Sequence, residues 1–301
     1  MQNVRLLNYL HLHGIVFIWG FTAVLGALIS LDALPLVWFR MTLAVLFVYA
    51  FVAIRKQNLK VDKKTLLILL ASGLVIALHW ITFFKAIKVS NISITLGILS
   101  TGAFFTSILE PIFYKRKLIW YELFFGLIVI FGLFIIFRVE IDYLDGILLA
   151  LTSALLSAVF SLINGKLAAL HNSTLITLYE LSGGVLFLSV FLLFSGKFSL
   201  EFFKLSNSDW FYLAILASVC TAYAFIASVK ILKYLSPYTV MLTINLEPVY
   251  GILLAALIFK EKEQMSTSFY IGAALILLTV ILNGIIKSAT RWKNKKLTKA
   301  N

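Results

Sequence analysis

Long apolar runs separated by short polar turns fill this chain from near its first residue to near its last. The runs fall near residues 9–29, 34–54, 66–86, 91–113, 120–138, 146–166, 174–195, 210–230, 238–259 and 267–287. Each is close to the roughly 20 residues that carry a helix across a hydrocarbon core about 30 Å thick. Backbone polar groups in lipid must be bonded within their own segment or in a closed barrel. Barrel strands are short and alternate in hydropathy, whereas these runs are continuous. The pattern therefore predicts an all-α membrane protein with ten transmembrane helices. The first run lacks the small-residue cleavage site of a signal peptide and nine more follow it, so it reads as a helix of the mature chain.

Composition sharpens this reading. Of the 301 residues, 61% are hydrophobic and 13% are charged, about half the charged share of an ordinary soluble domain. The net charge of +13 would suit nucleic acid if it were clustered on a soluble face, but it is distributed by membrane side. With the N-terminus inside, eighteen Lys and Arg residues are cytoplasmic and seven lie opposite. The cytoplasmic set is Arg5, the 55–64 and 115–117 turns, Lys166, Lys230, Lys233 and the tail from Lys287 onward. By the positive-inside rule both termini are cytoplasmic, as expected of a multi-pass protein of the plasma (inner) membrane. The basic tail, 288–301, also suits contact with anionic membrane lipids. The single cysteine, Cys220, lies within the eighth span and reads as a small buried hydrophobe.

Ten spans divide into two sets of five, and an odd number inverts the second set in the membrane. A shift of 145 places Lys85 on Lys230, Lys88 on Lys233, Lys115 on Lys260 and Lys117 on Lys262. Asn91 and Ser236 then occupy equivalent turns, where each is expected to cap the following helix. The organisation expected is two inverted five-helix repeats, 1–143 and 144–287, followed by the tail. The basic hairpin at 115–117 and the mixed one at 260–263 suit copies held in opposite orientations.

These features resemble the drug/metabolite transporter superfamily, specifically its EamA-type ten-helix members. The resemblance is carried by Trp19-Gly20, the stretch Pro35 to Arg40, and the run from Asn245 through Glu247-Pro248 and Gly251 to Phe259 and Lys262. Glu261 stands where that family has an acidic residue after its ninth helix, and Pro248 where it has a proline early in that helix. The first half departs from the pattern, with Ala103 at the proline position, Arg116 at the acidic one and Pro111 eight residues later. The resemblance covers 9–287 and implies carriage of a small metabolite, in the direction of export from the cytoplasm.

Ionisable groups at membrane depth are costly and are expected to face a protein interior or a wet cavity. Glu247 lies near the middle of the ninth span beside Pro248, and carriers bind substrate near the midplane. Proline withdraws a donor from the ladder and frees the carbonyl of Ile244, so Pro248 and Pro111 are the expected helix breaks. Thr239, Thr243, Glu247 and Tyr250 recur at helical spacing and are expected to line the cavity. Ser93, Gly97, Ser100 and Ser107 form a second stripe, which is either a lining or a small-residue packing seam. Arg40 and Glu180 are related by a shift of 140 and form either a linked ion pair or substrate contacts. His79 and Trp80 are candidates for a proton-carrying imidazole and an amphipathic wall, with a bond across helices as the competing reading for the histidine. Trp19, Trp38 and Tyr179 read as packing or interfacial anchors, with shaping of the pocket as the competing reading.

The spans contain no His-Glu-x-x-His helix and no Gly-x-Ser-x-Gly turn, so neither an enzyme nor a cofactor is expected. The expectation is alternating-access transport of a small metabolite, an amino acid or related compound, with protons as a conceivable coupling ion. A lipid or lipid-linked sugar translocator and a non-transporting assembly protein are the competing readings.

Overall fold

Polar residues at the ends of the apolar runs start and stop the helices. The computed structural model describes residues 2–115, 120–139, 141–260 and 265–300. Thirteen α-helices are described: α1 (Gln2–Leu28), α2 (Ala33–Arg55), α3 (Lys63–Val89), α4 (Ile92–Leu99), α5 (Gly102–Tyr114), α6 (Trp120–Val139), α7 (Leu144–Leu167), α8 (Ser173–Phe194), α9 (Asn207–Ala217), α10 (Ala224–Ile231), α11 (Pro237–Ile244), α12 (Glu247–Phe259) and α13 (Thr267–Ala300). Side chains cap their starts. Asn91 Oδ1 accepts from the Ile94 amide and Ser236 Oγ from the Thr239 amide, as expected for equivalent turns. Asp62, Asn172 and Ser206 do the same for α3, α8 and α9.

Eight segments are long and apolar enough to cross a membrane, and α6 and α13 contribute shorter apolar stretches. Their outward faces carry large exposed hydrophobics such as Phe47, Ile54, Leu127 and Leu257. In water such a surface would demand a partner; in lipid it is the solvated face. The chain is a multi-pass integral membrane protein.

Among the described residues three of the spans are broken. The fourth is α4 and α5, interrupted at Ser100–Thr101, and the ninth is α11 and α12, interrupted at Asn245–Leu246. Moved by 145 residues, α4 falls on α11 and α5 on α12 at both ends, and the two positive-φ caps Lys115 (φ 53°) and Lys260 (φ 52°) coincide. Of the two prolines expected as breaks, Pro248 stands beside one, two residues after Leu246, and Pro111 does not. The α5 helix runs through Pro111, ten residues beyond its break. Pro248 sits in the first turn of α12, where a missing N–H costs nothing. The expected break at Pro111 is therefore corrected to Ser100–Thr101, where both hydroxyls donate back to carbonyls three residues earlier and so compete with the regular ladder.

The eighth span is broken differently. Between α9 and α10 the segment Ser218–Tyr223 is a π-helical turn. Its counterpart within α3 is regular α-helix. The caps Asp62 and Ser206 stand 144 residues apart and the caps Asn91 and Ser236 stand 145 apart. The second copy thus carries one more residue over this stretch, and a π turn is where a helix absorbs it. Helices of the two copies interleave: α3 packs on α7 and α8, α12 on α1 and α4, and α13 on α6. Glu261, on which part of the family resemblance rests, and Arg116, where the first half departs from it, lie outside the described residues.

Candidate functional site

Interleaving leaves a cavity of about 860 Å³, counted out to its open mouth. Its first-copy wall comprises Trp19 and Thr22 of α1, Arg40 of α2 and the run His79, Trp80 and Phe83 of α3. The second copy supplies Ser157, Phe160, Ser161 and Asn164 of α7, Phe225 and Ser228 of α10, and Glu247 at the start of α12. An aromatic wall with a few convergent polar groups is the usual make-up of a small-molecule site.

Arg40 is held in place from two sides. Its guanidinium lies 3.8 Å from the centre of the Trp80 ring, and its Nε donates to Thr221 Oγ1 at 2.7 Å. Thr221 belongs to the π turn and passes its own hydroxyl hydrogen to the Leu216 carbonyl, five residues back. The same turn presents the Cys220 carbonyl, which accepts from Trp19 Nε1 at 3.2 Å. One irregular turn therefore anchors the arginine and a wall tryptophan together. Despite this framing Arg40 Nη1 is buried and has no partner, which is costly for a cation unless something else completes the site.

Glu247 faces the same cavity, 6% exposed, and attracts Arg40 electrostatically. It has no hydrogen-bond partner among the described residues. Asn164 lines the wall with its Nδ2 given to Glu180 and its Oδ1 buried without a partner. His79 is tied by Nδ1 to both the carbonyl and the hydroxyl of Ser153, at 2.9 Å and 2.8 Å. Arg40, Trp80, His79 and Glu247 thus come together at one cavity.

The other expected residues lie elsewhere. Glu180 is fully buried just behind the wall, accepting from Ser72 Oγ at 2.6 Å and Asn164 Nδ2 at 3.2 Å. Its expected link to Arg40 is corrected, because each side chain is bonded to other helices. Thr243 returns its hydroxyl to the Thr239 carbonyl, Thr239 pairs with Ser236, and Tyr250 packs edge-on against Phe17. The lining face of the ninth span is Val240, Met241, Ile244 and Glu247, one helical position away from the expected stripe. Ser100 and Ser107 bond back to their own helices, and a side chain at Gly97 would meet the Phe269 ring. That stripe is a packing seam.

The residues not foreseen carry a legible signal. Ser153, Ser157, Ser161 and Asn164 recur every three or four positions along α7, a polar stripe on an otherwise apolar helix. Thr221 offered no such signal, because its role depends on the π turn.

At one end the cavity lining reaches the last turns of α7 and α10, at Asn164 and Leu232. The other end is sealed. Asp209, at the start of α9, accepts from the Ser30 amide and hydroxyl at 2.7 Å each, and Lys88 Nζ donates to the Ile29 carbonyl. Beside this latch Trp38 packs edge-on against Phe39, Phe198 and Phe202, with ring centres 5.0–5.5 Å apart.

The model of the EamA-like transporter family matches this sequence twice, over residues 7–138 and 144–285. No curated protein matches it. A solved structure described only as "Crystal structure of protein" is similar with a TM-score of 0.66 at 15% identity, covering 91% of this chain and 96% of that one. At that identity the likeness shows the fold alone.

Proposed function

The chain belongs to the EamA-like transporter family, whose members carry small solutes across membranes, and from that premise we propose that it exports a small zwitterionic metabolite, an amino acid or related compound. The observation that carries this reading is the unmet bonding of the cavity wall. Arg40 Nη1 lacks an acceptor, Asn164 Oδ1 lacks a donor, and Glu247 is buried without a hydrogen bond among the described residues. A ligand with a carboxylate for Arg40 and an ammonium group for Glu247 or Asn164 completes all three. Trp19, Trp80, Phe160 and Phe225 accommodate its apolar part.

Movement follows from the two-copy build. Five spans per copy place the copies in opposite orientations, and rocking one against the other exposes the site to each side in turn. With the termini cytoplasmic, the sealed Ser30–Asp209 end faces outward and the mouth near Asn164 and Leu232 faces the cytoplasm. That is the loading state of an exporter. The test is counterflow into liposomes preloaded with unlabelled amino acids, using a labelled amino-acid pool. Exchange is expected for the wild type and lost in Glu247→Gln and Arg40→Gln. Wild-type exchange in both variants would refute the assignment.

A further inference from the structure

Glu180 is a carboxylate buried just behind the cavity wall, with no cation bonded to it among the described residues. It is 0% exposed, and its two oxygens are held by two neutral groups, Ser72 Oγ and Asn164 Nδ2. The interior-facing charged or titratable groups of the helices around α8 are engaged elsewhere. Arg40 of α2 gives Nε to Thr221, and His79 of α3 gives Nδ1 to Ser153. Lys166 of α7 lies over the Phe113 and Tyr114 rings, Lys88 at the end of α3 bonds Ile29, and Lys230 of α10 is exposed. A lone carboxylate anion at membrane depth without a counter-ion is strongly disfavoured. A metal cation is a poor remedy, since the 2.6 Å contact between Ser72 and Glu180 leaves no space between those oxygens for an ion.

We infer that Glu180 is a proton-binding site and that Asn164 reports its protonation to the transport cavity. This rests on the reading of the cavity as a solute site and adds the coupling ion to it. The amide of Asn164 has two ends, and Glu180 holds one of them. With Glu180 ionised, Nδ2–H donates to the carboxylate and the remaining end is the Oδ1 acceptor, which has no partner. With Glu180 protonated on Oε2 while Ser72 keeps donating to Oε1, the O–H faces Asn164, and its acceptor there is Oδ1 after the amide turns over. The end left for the cavity is then an N–H donor. Gain or loss of the proton on the Glu180 carboxyl, exchanged with cavity water, thus inverts the polarity that Asn164 offers a solute. A solute that bonds one polarity and not the other binds in step with the proton.

The test uses purified full-length protein and infrared difference spectroscopy over a pH jump. A protonated-carboxyl C=O band is expected that is absent in Glu180→Gln and indifferent to sodium chloride at fixed pH. Ser72→Ala, which removes one donor to the carboxylate, moves the midpoint of that band to higher pH and serves as the second variant should Glu180→Gln fold poorly. An unchanged band in Glu180→Gln, an unchanged midpoint in Ser72→Ala, or loss of the band on adding sodium overturns the proposal. In liposomes Glu180→Gln loses the acceleration of amino-acid counterflow by a pH gradient; a gradient response equal to wild type also overturns the proposal. Absence of amino-acid flux from the wild-type protein would instead sink the substrate reading, while the infrared measurement still decides the proton site.

Discussion

Two glycine substitutions of identical chemistry are expected to act in opposite directions, and the difference tests how the site is framed. A Cβ on Gly73 would stand 2.0 Å from the Glu180 carbonyl oxygen and 2.7 Å from the Gly184 amide nitrogen. Both are backbone atoms of α8 and cannot rotate away, so ordinary contact at 3.4 Å or more requires α3 and α8 to separate by over an ångström. Overpacking of this kind costs about 1–3 kcal/mol. Alanine in place of glycine within a helix returns about 1 kcal/mol. Gly73→Ala is therefore expected to lose up to about 2 kcal/mol overall and to pull Glu180 from the adjacent Ser72. At Gly14, in α1, a Cβ meets nothing within 4 Å, so Gly14→Ala is expected to gain roughly 0.5–1 kcal/mol. Thermal unfolding of the two variants in one detergent reads the comparison directly. A Gly73→Ala protein as stable as Gly14→Ala would refute the close approach of α3 and α8.

Three further outcomes follow from the site and its seal. Thr221→Val removes the Arg40 Nε partner, a bond to a charged group worth about 1.5–3 kcal/mol, so the apparent affinity for exchanged solute is expected to fall about tenfold or more, with Thr221→Ser near wild type. Asp209→Ala removes the acceptor of both Ser30 bonds and loosens the sealed end; a membrane-impermeant thiol reagent added outside is expected to label the buried Cys220 faster than in wild type, and equal rates would count against the latch. Epitope tags at the N-terminus and within the 195–199 turn are expected to be reached from the cytoplasm and from outside respectively, as protease protection of oriented vesicles would show.

The spans and their pairing were legible because both depend on long-range composition. Continuous apolar runs mark helices in lipid whatever their partners, and the lysine spacing of 145 marked the repeat before α4 and α11 could be superposed. Breaks were less legible. Proline is the usual cue, yet the fourth span bends at Ser100–Thr101, where no proline stands, through hydroxyls whose choice of acceptor the sequence does not specify. The cavity face of the ninth span was misjudged by one helical position, because threonine reads as a lining residue whereas Thr243 satisfies itself on its own backbone. Of the ionisable groups singled out, Arg40, His79 and Glu247 line the cavity, while Glu180 is buried behind its wall on neutral partners. The roles of Asn164 and Thr221 were not legible, one because it depends on the partner Glu180 and the other because it depends on an i→i+5 turn.

The single residue that the second copy carries in excess has a consequence for how such a carrier idles. Two faultless replicas set head to foot would spend equal time open to either compartment, with nothing to choose between them. A π turn present in only one replica, at Ser218–Tyr223, would make the two postures of the proposed rocking unequal in energy, and an empty protein would then have a default side.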